Sequence, residues 1–112
     1  IINITSPAGE VAVPGSGHYG AAKAGVNSLT KTLSLEFAPN VRVNGIAPGY
    51  VPTEVMMTAL ETDEDQLENM AQKRIPLKRL GTPDDMGSTA VYLASDAGSW
   101  VTGQTIKVAG GM

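Results

Sequence analysis

The fold is decided by the opening stretch IINITSPAG (residues 1–9), which a loop separates from the stretch YGAAKAG (residues 19–25). The run from Ile1 to Thr5 is apolar and β-branched and ends at Ser6-Pro7, a pattern that predicts a buried strand. Helical spacing begins near Gly17 and continues to Phe37. A strand, a loop and a long helix in succession indicate an α/β domain.

Further elements follow along the chain. The pattern predicts a strand over 41–47, a short helix capped by Thr62 and stopped by Pro76, a helix from Pro83 to about Ser95, and a strand over 104–108. The order is therefore β-α-β-α-α-β, an α/β fold with parallel strands. On the long helix one apolar stripe is formed by Ala22, Val26, Leu29, Leu33 and Phe37. Trp100 is expected in the core or in a subunit contact.

Composition excludes several classes of function. The chain has 112 residues with a net charge of −3, 42% hydrophobic residues and no cysteine. Basic residues are scattered, so we expect no nucleic-acid partner. The absence of cysteine excludes a disulfide scaffold and fits a cytoplasmic protein, and a single histidine makes a metal site improbable. No apolar run reaches the roughly 20 residues of a membrane helix, so no membrane association is expected.

Three side chains have the types and the spacing suited to proton transfer at a carbonyl oxygen. Tyr19 follows Ser6 by 13 residues, and Lys23 follows Tyr19 by 4. Residues at i and i+4 share a helix face, where a lysine ammonium favours the ionised form of a neighbouring phenol. Ser6, at the end of a strand, can donate a hydrogen bond to the same oxygen. The set predicts a proton donor, a cation that tunes it and a polarising hydroxyl.

Seven patches stand in a fixed order with characteristic gaps. They are Asn3-Ile4-Thr5-Ser6 with Gly9, Tyr19-x-x-x-Lys23-Ala24-Gly25, Arg42-x-Asn44 through Pro48-Gly49, Thr53, Pro76-x-x-Arg79-x-Gly81-x-Pro83, Leu93-x-Ser95-Asp96, and Thr102-Gly103-Gln104 with Gly110-Gly111. Together they resemble the C-terminal half of a short-chain dehydrogenase/reductase over essentially the whole chain. Within that family the chain is similar to members of the 3-oxoacyl-ACP reductase and glucose dehydrogenase type.

The resemblance implies a Rossmann-like doubly wound parallel sheet, of which residues 1–112 are the C-terminal portion of a single domain. A substrate lid would occupy about residues 50–75. It also implies an oxidoreductase that uses NAD or NADP on a small-molecule secondary alcohol or ketone. A homodimer or homotetramer would form through the long helix and the terminal strand–helix unit.

The resemblance also assigns roles to residues. The catalytic residues would be Ser6, Tyr19 and Lys23, with Ser6 holding the substrate oxygen, Tyr19 transferring its proton, and Lys23 stabilising the phenolate and bonding the nicotinamide ribose. The cofactor-binding residues would be Tyr19, Lys23, Pro48, Gly49, Val51 and Thr53. Of these, Pro48, Gly49 and Val51 belong to the loop under the nicotinamide, and Thr53 contacts the carboxamide or the pyrophosphate.

The departures from the family pattern are informative. The Gly-rich turn for the pyrophosphate, the asparagine of the catalytic tetrad and the residues that choose NAD or NADP would all lie upstream of Ile1. Ala109 stands where the family usually has aspartate. Because the chain opens inside a strand, we expect it to be part of a longer protein. The alternative is a truncated, non-catalytic form that keeps the fold and the oligomerisation surfaces.

Two other motifs are disfavoured by their context. The segment from Gly15 to Gly20 reads G-x-G-x-x-G, but a dinucleotide fingerprint needs its first glycine directly after a strand, and residues 7–14 intervene. Ser16 lacks the G-x-S-x-G frame of a nucleophile elbow. A serine hydrolase that uses Ser6 or Ser16 with His18 therefore ranks far behind the oxidoreductase.

Overall fold

The architecture, taken from a computed structural model that describes residues 1–112, is built on three parallel strands. They are β1 (Ile2–Ile4), β2 (Asn44–Pro48) and β3 (Thr105–Val108), and they lie in the order β1-β2-β3. The register places Ile4 beside Ile46, and Ile46 beside Ile106. The α/β fold with a parallel sheet is thus confirmed.

Four helices connect and cover the strands. They are α1 (Gly17–Glu36), α2 (Glu54–Ala59), α3 (Glu64–Arg74) and α4 (Pro83–Ala94), with short 3₁₀ turns at Pro7–Gly9 and Asp96–Gly98. Helix α1 and helix α4 begin where the sequence predicted. Helix α2 was not predicted, although Thr53 caps it by accepting a hydrogen bond from the Met56 amide at 3.2 Å.

The cap of α3 differs from the expectation by one residue. Asp63 rather than Thr62 is the N-cap, because its Oδ1 accepts from the Gln66 amide at 2.8 Å while the Gln66 side chain reaches back to the Asp63 amide. Two backbone donors are satisfied reciprocally in this capping box. Thr62 instead donates to Gln66 Oε1 at 2.9 Å. Leu67 and Ala71 of this helix are buried, as their spacing predicted.

Helix α1 presents a polar face to the sheet. Its buried residues are Thr30 and Ser34, and Thr30 Oγ1 accepts from Asn3 Nδ2 of β1 at 2.9 Å. Leu29 is 50% exposed and Phe37 is 41% exposed. The apolar stripe therefore does not face the core of this chain. Val26 and Leu33 of the stripe are half-buried, whereas Ala22, Leu29 and Phe37 form an apolar surface that the chain leaves exposed.

The apolar core is centred on β2. Its largest fully buried apolar side chains are Ile46, Ile75, Leu93 and Val43. Asn44 is buried beside them, and both ends of its amide are satisfied: Nδ2 donates to the Val101 carbonyl at 2.8 Å and Oδ1 accepts from the Gln104 amide at 3.1 Å. Asn44 therefore fastens the start of β2 to the turn that precedes β3.

The expected burial of the opening strand was wrong, and of the two places expected for Trp100 the core is excluded. Ile4 is 56% exposed, because β1 is an edge strand that pairs only with β2, so the opening strand is not buried within this chain. Trp100 is 99% exposed and does not belong to the core. A subunit contact stays a prediction for Trp100. None of the helices combines the length and the apolar character needed to cross a membrane.

Candidate active site

The candidate site lies at one edge of the sheet. Ser6 follows the end of β1, and Pro48 and Gly49 close β2, its parallel neighbour. Because the carboxyl ends of parallel strands meet at the same edge, the two segments are brought side by side. This edge is where open α/β sheets bind their ligands.

Ser6 is held by the turn that follows it. It is the N-cap of the 3₁₀ turn Pro7–Gly9, and its Oγ accepts a hydrogen bond from the Ala8 amide at 3.2 Å. The Ser6 hydroxyl makes no hydrogen bond as a donor within the chain. Since a serine hydroxyl carries one donor hydrogen and two acceptor lone pairs, Ser6 keeps its hydrogen available for an oxygen outside the chain.

Two glycines let this turn lie against helix α1. A Cβ on Gly9 would come within 2.8 Å of the Lys23 carbonyl carbon and the Ala24 amide nitrogen. A Cβ on Gly20 would come within 2.9 Å of the Ala8 carbonyl oxygen. The absence of both side chains brings Ser6 to the turns of α1 that carry Tyr19 and Lys23. Sequence reasoning included Gly9 in a motif but missed the part that Gly20 plays.

Tyr19 and Lys23 lie on the same face of α1, as their spacing predicted. The Lys23 Nζ stands 5.6 Å from the centroid of the Tyr19 ring, within the range of a cation–π contact. It also donates to the Ile4 carbonyl at the end of β1, at 3.0 Å. The tyrosine remains 44% exposed. An ammonium group has three donors, so this hydrogen bond leaves two for other acceptors.

The loop after β2 combines a buried side chain with free backbone groups. Val51 is only 9% exposed, yet neither its amide nor its carbonyl hydrogen-bonds within the chain. The Gly49 amide donates to the Val108 carbonyl at 2.9 Å, and a Cβ on Gly49 would lie 2.7 Å from the Ala109 Cα. The loop is therefore pressed against the end of β3 while Val51 keeps unpaired backbone polar groups, which proteins normally satisfy with some partner.

A bidentate ion pair fastens the segment that follows the expected lid to helix α4. Arg79 donates to both carboxylate oxygens of Asp85, at 2.7 and 2.8 Å, and the Thr82 amide donates to the same carboxylate. These hydrogen bonds hold the pKa of Asp85 well below its usual range, and the carboxylate raises the pKa of Arg79. The sequence analysis placed Arg79 in a motif but did not reveal its pairing with Asp85.

Alternative site chemistries find no support in the geometry. No group of three histidine, cysteine, aspartate or glutamate side chains is arranged to hold a metal ion. Gly17 and Gly20 lie in the first turns of α1 instead of directly after a strand, so G-x-G-x-x-G does not form a dinucleotide fingerprint here. The hydroxyl of Ser6 has no histidine as a hydrogen-bond partner.

Comparisons with known proteins agree with this arrangement. A family model described as enoyl-(acyl carrier protein) reductase matches residues 1–112. The chain is 43% identical to a 3-oxoacyl-(acyl-carrier-protein) reductase of Chlamydia trachomatis over 113 aligned positions, covering 100% of this chain and 44% of that protein.

Solved structures are similar as well. A 7α-hydroxysteroid dehydrogenase complexed with NADH superposes with a TM-score of 0.89 at 35% identity, over 99% of this chain and 43% of that one. A gluconate 5-dehydrogenase from Burkholderia cenocepacia in complex with NADP and tartrate gives a TM-score of 0.87 at 40% identity, over 98% and 43%. The chain spans 42–45% of the length of the curated relatives it matches. It belongs to the short-chain dehydrogenase/reductase family.

Proposed function

We propose that the protein is an NAD- or NADP-dependent oxidoreductase that interconverts a secondary alcohol and a ketone, with residues 1–112 supplying the proton-transfer half of its site. The observation that carries the proposal is the Ser6 hydroxyl. Its hydrogen is free, and the turn it caps packs on the helix that bears Tyr19 and Lys23. Ser6, Tyr19 and Lys23 would be the catalytic residues.

The proton path follows from the hydrogen-bonding capacity of each group. In reduction, the Tyr19 hydroxyl gives its proton to the substrate oxygen, and the Ser6 hydroxyl donates a second hydrogen bond to that oxygen. The Lys23 ammonium, beside the tyrosine ring, stabilises the phenolate that remains. In oxidation the phenolate accepts the proton from the alcohol. No residue of the chain has to form a covalent intermediate.

The loop after β2 fits a nicotinamide cofactor. The unpaired amide and carbonyl of Val51 match the hydrogen-bonding needs of a carboxamide, which carries both donors and an acceptor. Thr53 accepts from the Met56 amide and keeps its hydroxyl hydrogen for a carboxamide or a phosphate. Pro48 and Gly49 would form the floor of this site, while Tyr19 and Lys23 would face the ribose. The cofactor would supply or accept the hydride.

A homodimer or homotetramer is supported by the apolar surfaces that the chain leaves uncovered. One is the outward stripe of α1, where Leu29 is 50% exposed. The other lies near the end of α4, where Val91 is 68% exposed and Trp100 is 99% exposed. Separate apolar patches of this kind mark interaction sites. The lid over residues 50–75, the single domain and the cytoplasmic location stay predictions.

The test is the Tyr19→Phe variant of the full-length gene product, assayed with panels of alcohols and ketones and with both nicotinamide cofactors. We expect kcat to fall by about two orders of magnitude or more, which is the usual contribution of a general acid. Tyr92→Phe is the matched control, because Tyr92 is 42% exposed on α4, close to the 44% of Tyr19. Activity of Tyr19→Phe within a few-fold of the wild-type level would refute the role of Tyr19.

The non-catalytic alternative is tested with the same reagents. If the wild-type full-length protein oxidises no alcohol and reduces no ketone, yet sediments as an oligomer, a role in assembly replaces the catalytic one. A covalent serine probe distinguishes a serine hydrolase from the oxidoreductase. Labelling of Ser6 or Ser16 would favour the hydrolase, because the oxidoreductase mechanism predicts no labelling.

A further inference from the structure

The loop between Ser6 and helix α1 has a single polar connection to the rest of the sheet. The hydrogen bonds of residues 7–16 all stay within residues 6–20. The exception among polar contacts is an ion pair, in which Lys107 Nζ lies 3.3 Å from Glu10 Oε2. Lys107 belongs to β3, and Glu10 follows the turn after β1. The pair therefore reaches past β2 and joins the loop that follows β1 to β3.

We propose that Lys107 and Glu10 are positioning residues, which hold the turn at Pro7–Gly9 in place and thereby aim the Ser6 hydroxyl. The proposal rests on the proposed function. The turn is short and bonded internally: the Glu10 amide donates to the Pro7 carbonyl at 2.9 Å, and the Ala8 amide donates to Ser6 Oγ at 3.2 Å. A restraint applied at Glu10 is therefore transmitted through one helical turn to Ser6.

The turn is held from two sides. On the side of α1, contact is steric, since Gly9 and Gly20 allow the backbones to touch. On the side of β3, contact is electrostatic, through Lys107. Steric contact prevents the turn from moving into the helix but does not prevent it from moving away. The ion pair instead limits how far Glu10, at the end of the turn, can move from β3.

The pair is exposed, and this determines what its loss should change. The side chains of Lys107 and Glu10 are 37% and 44% exposed, so water and salt screen their attraction. Exposed ion pairs contribute little to global stability. We therefore expect the global unfolding midpoint to stay unchanged when the pair is broken. The loop should respond instead, because it has no other polar connection to the sheet.

The experiment compares Lys107→Met with Lys31→Met in the full-length gene product. Lys31 is an exposed lysine of α1 whose ammonium makes no ion pair, so its replacement controls for the loss of one positive charge. For Lys107→Met we expect kcat to fall about two- to fivefold, because an exposed ion pair is a weak restraint but small displacements of a catalytic group cost rate, while KM for the nicotinamide cofactor changes less than about twofold. The charge-swapped double variant Glu10→Lys with Lys107→Glu should recover most of the lost kcat.

Hydrogen–deuterium exchange gives a second measurement that does not depend on activity. In Lys107→Met the amides of Gly9, Glu10 and Val11 should exchange at least about threefold faster, with those of α1 beyond Tyr19 unchanged. Unchanged exchange in the loop would overturn the proposal, and so would faster exchange with an unchanged kcat. If Tyr19→Phe keeps its activity while exchange in the loop of Lys107→Met still rises, the proposed function has failed, but the restraint that the Lys107–Glu10 ion pair places on the loop remains supported.

Discussion

Gly9 offers the sharpest test of how the site is assembled. In Gly9→Ala the new Cβ would stand 2.8 Å from two backbone atoms of α1 and 3.0 Å from the Asn27 side chain. Ordinary contact begins near 3.4 Å, so the turn must move away by about 0.6 Å, the difference between 3.4 and 2.8. Helix backbone cannot yield as a flexible side chain can. Overpacking of this kind costs about 1–3 kcal/mol of unfolding free energy.

The same displacement should cost more in activity than in stability. Ser6 is the first residue of the displaced turn, and a misplacement of about 1 Å can cost about a hundredfold in rate, so we expect kcat to fall at least tenfold. The measurements are urea unfolding and kcat of the full-length gene product. Gly17→Ala is the control, because a Cβ there meets nothing within 4 Å. A Gly9→Ala variant with wild-type kcat and stability would show that the turn does not depend on this contact.

Three further predictions concern other parts of the chain. Asp85→Asn should destabilise the protein at neutral pH but not in strong acid, because the pKa of Asp85 is lower in the folded state than in the unfolded state. The ionised carboxylate therefore stabilises the fold above the unfolded-state pKa of about 4, and this contribution disappears as the pH falls further. Urea unfolding at several pH values measures the effect, and an equal loss of stability at every pH would contradict the prediction. Gly25→Leu should leave the protomer folded, since nothing in the chain lies within 4 Å of a Cβ at this position. It should dissociate the oligomer, because the added side chain would keep a second subunit from packing on this part of α1. Unchanged sedimentation would exclude this part of α1 from the interface. Asn44→Leu should cost about 1–3 kcal/mol in urea unfolding, because it leaves the Gln104 amide without a partner, while the Val101 carbonyl keeps its hydrogen bond from Arg42. A loss below about 0.5 kcal/mol would show that water replaces the lost partner of Gln104.

The elements that the sequence predicted well carry local signals. The start of α4 is an example, because threonine followed by proline and two acidic residues defines a helix N-terminus without reference to the rest of the fold. The i, i+4 spacing of Tyr19 and Lys23 likewise needs only a helix to place both side chains together. Helix α2 was missed because it has six residues and no buried side chain, so it has little periodicity to detect.

Contacts that depend on distant residues could not be predicted in the same way. The pairing of Arg79 with Asp85 requires the chain to turn between them, and the sequence shows only two charged residues near a proline. The close approach of Gly20 to Ala8 depends on how a loop folds back onto a helix. The link between Lys107 and Glu10 depends on sheet order, since the two residues are neighbours only once β1, β2 and β3 are aligned.

The orientation of α1 could not be predicted from its apolar stripe alone. An apolar stripe predicts the buried face of a helix only if the sheet beneath it is apolar, whereas β1 offers Asn3 to this helix and Thr30 binds it. The polar pair fixes the rotation of α1, and the rotation turns Leu29 outward. Because burying an apolar side chain is favourable by about 1.5–3 kcal/mol, a stripe of this length gains much from a partner outside the chain. The rotation of α1 about its axis therefore determines two things at once. It places Tyr19 and Lys23 beside the site, and it exposes the apolar residues that favour assembly.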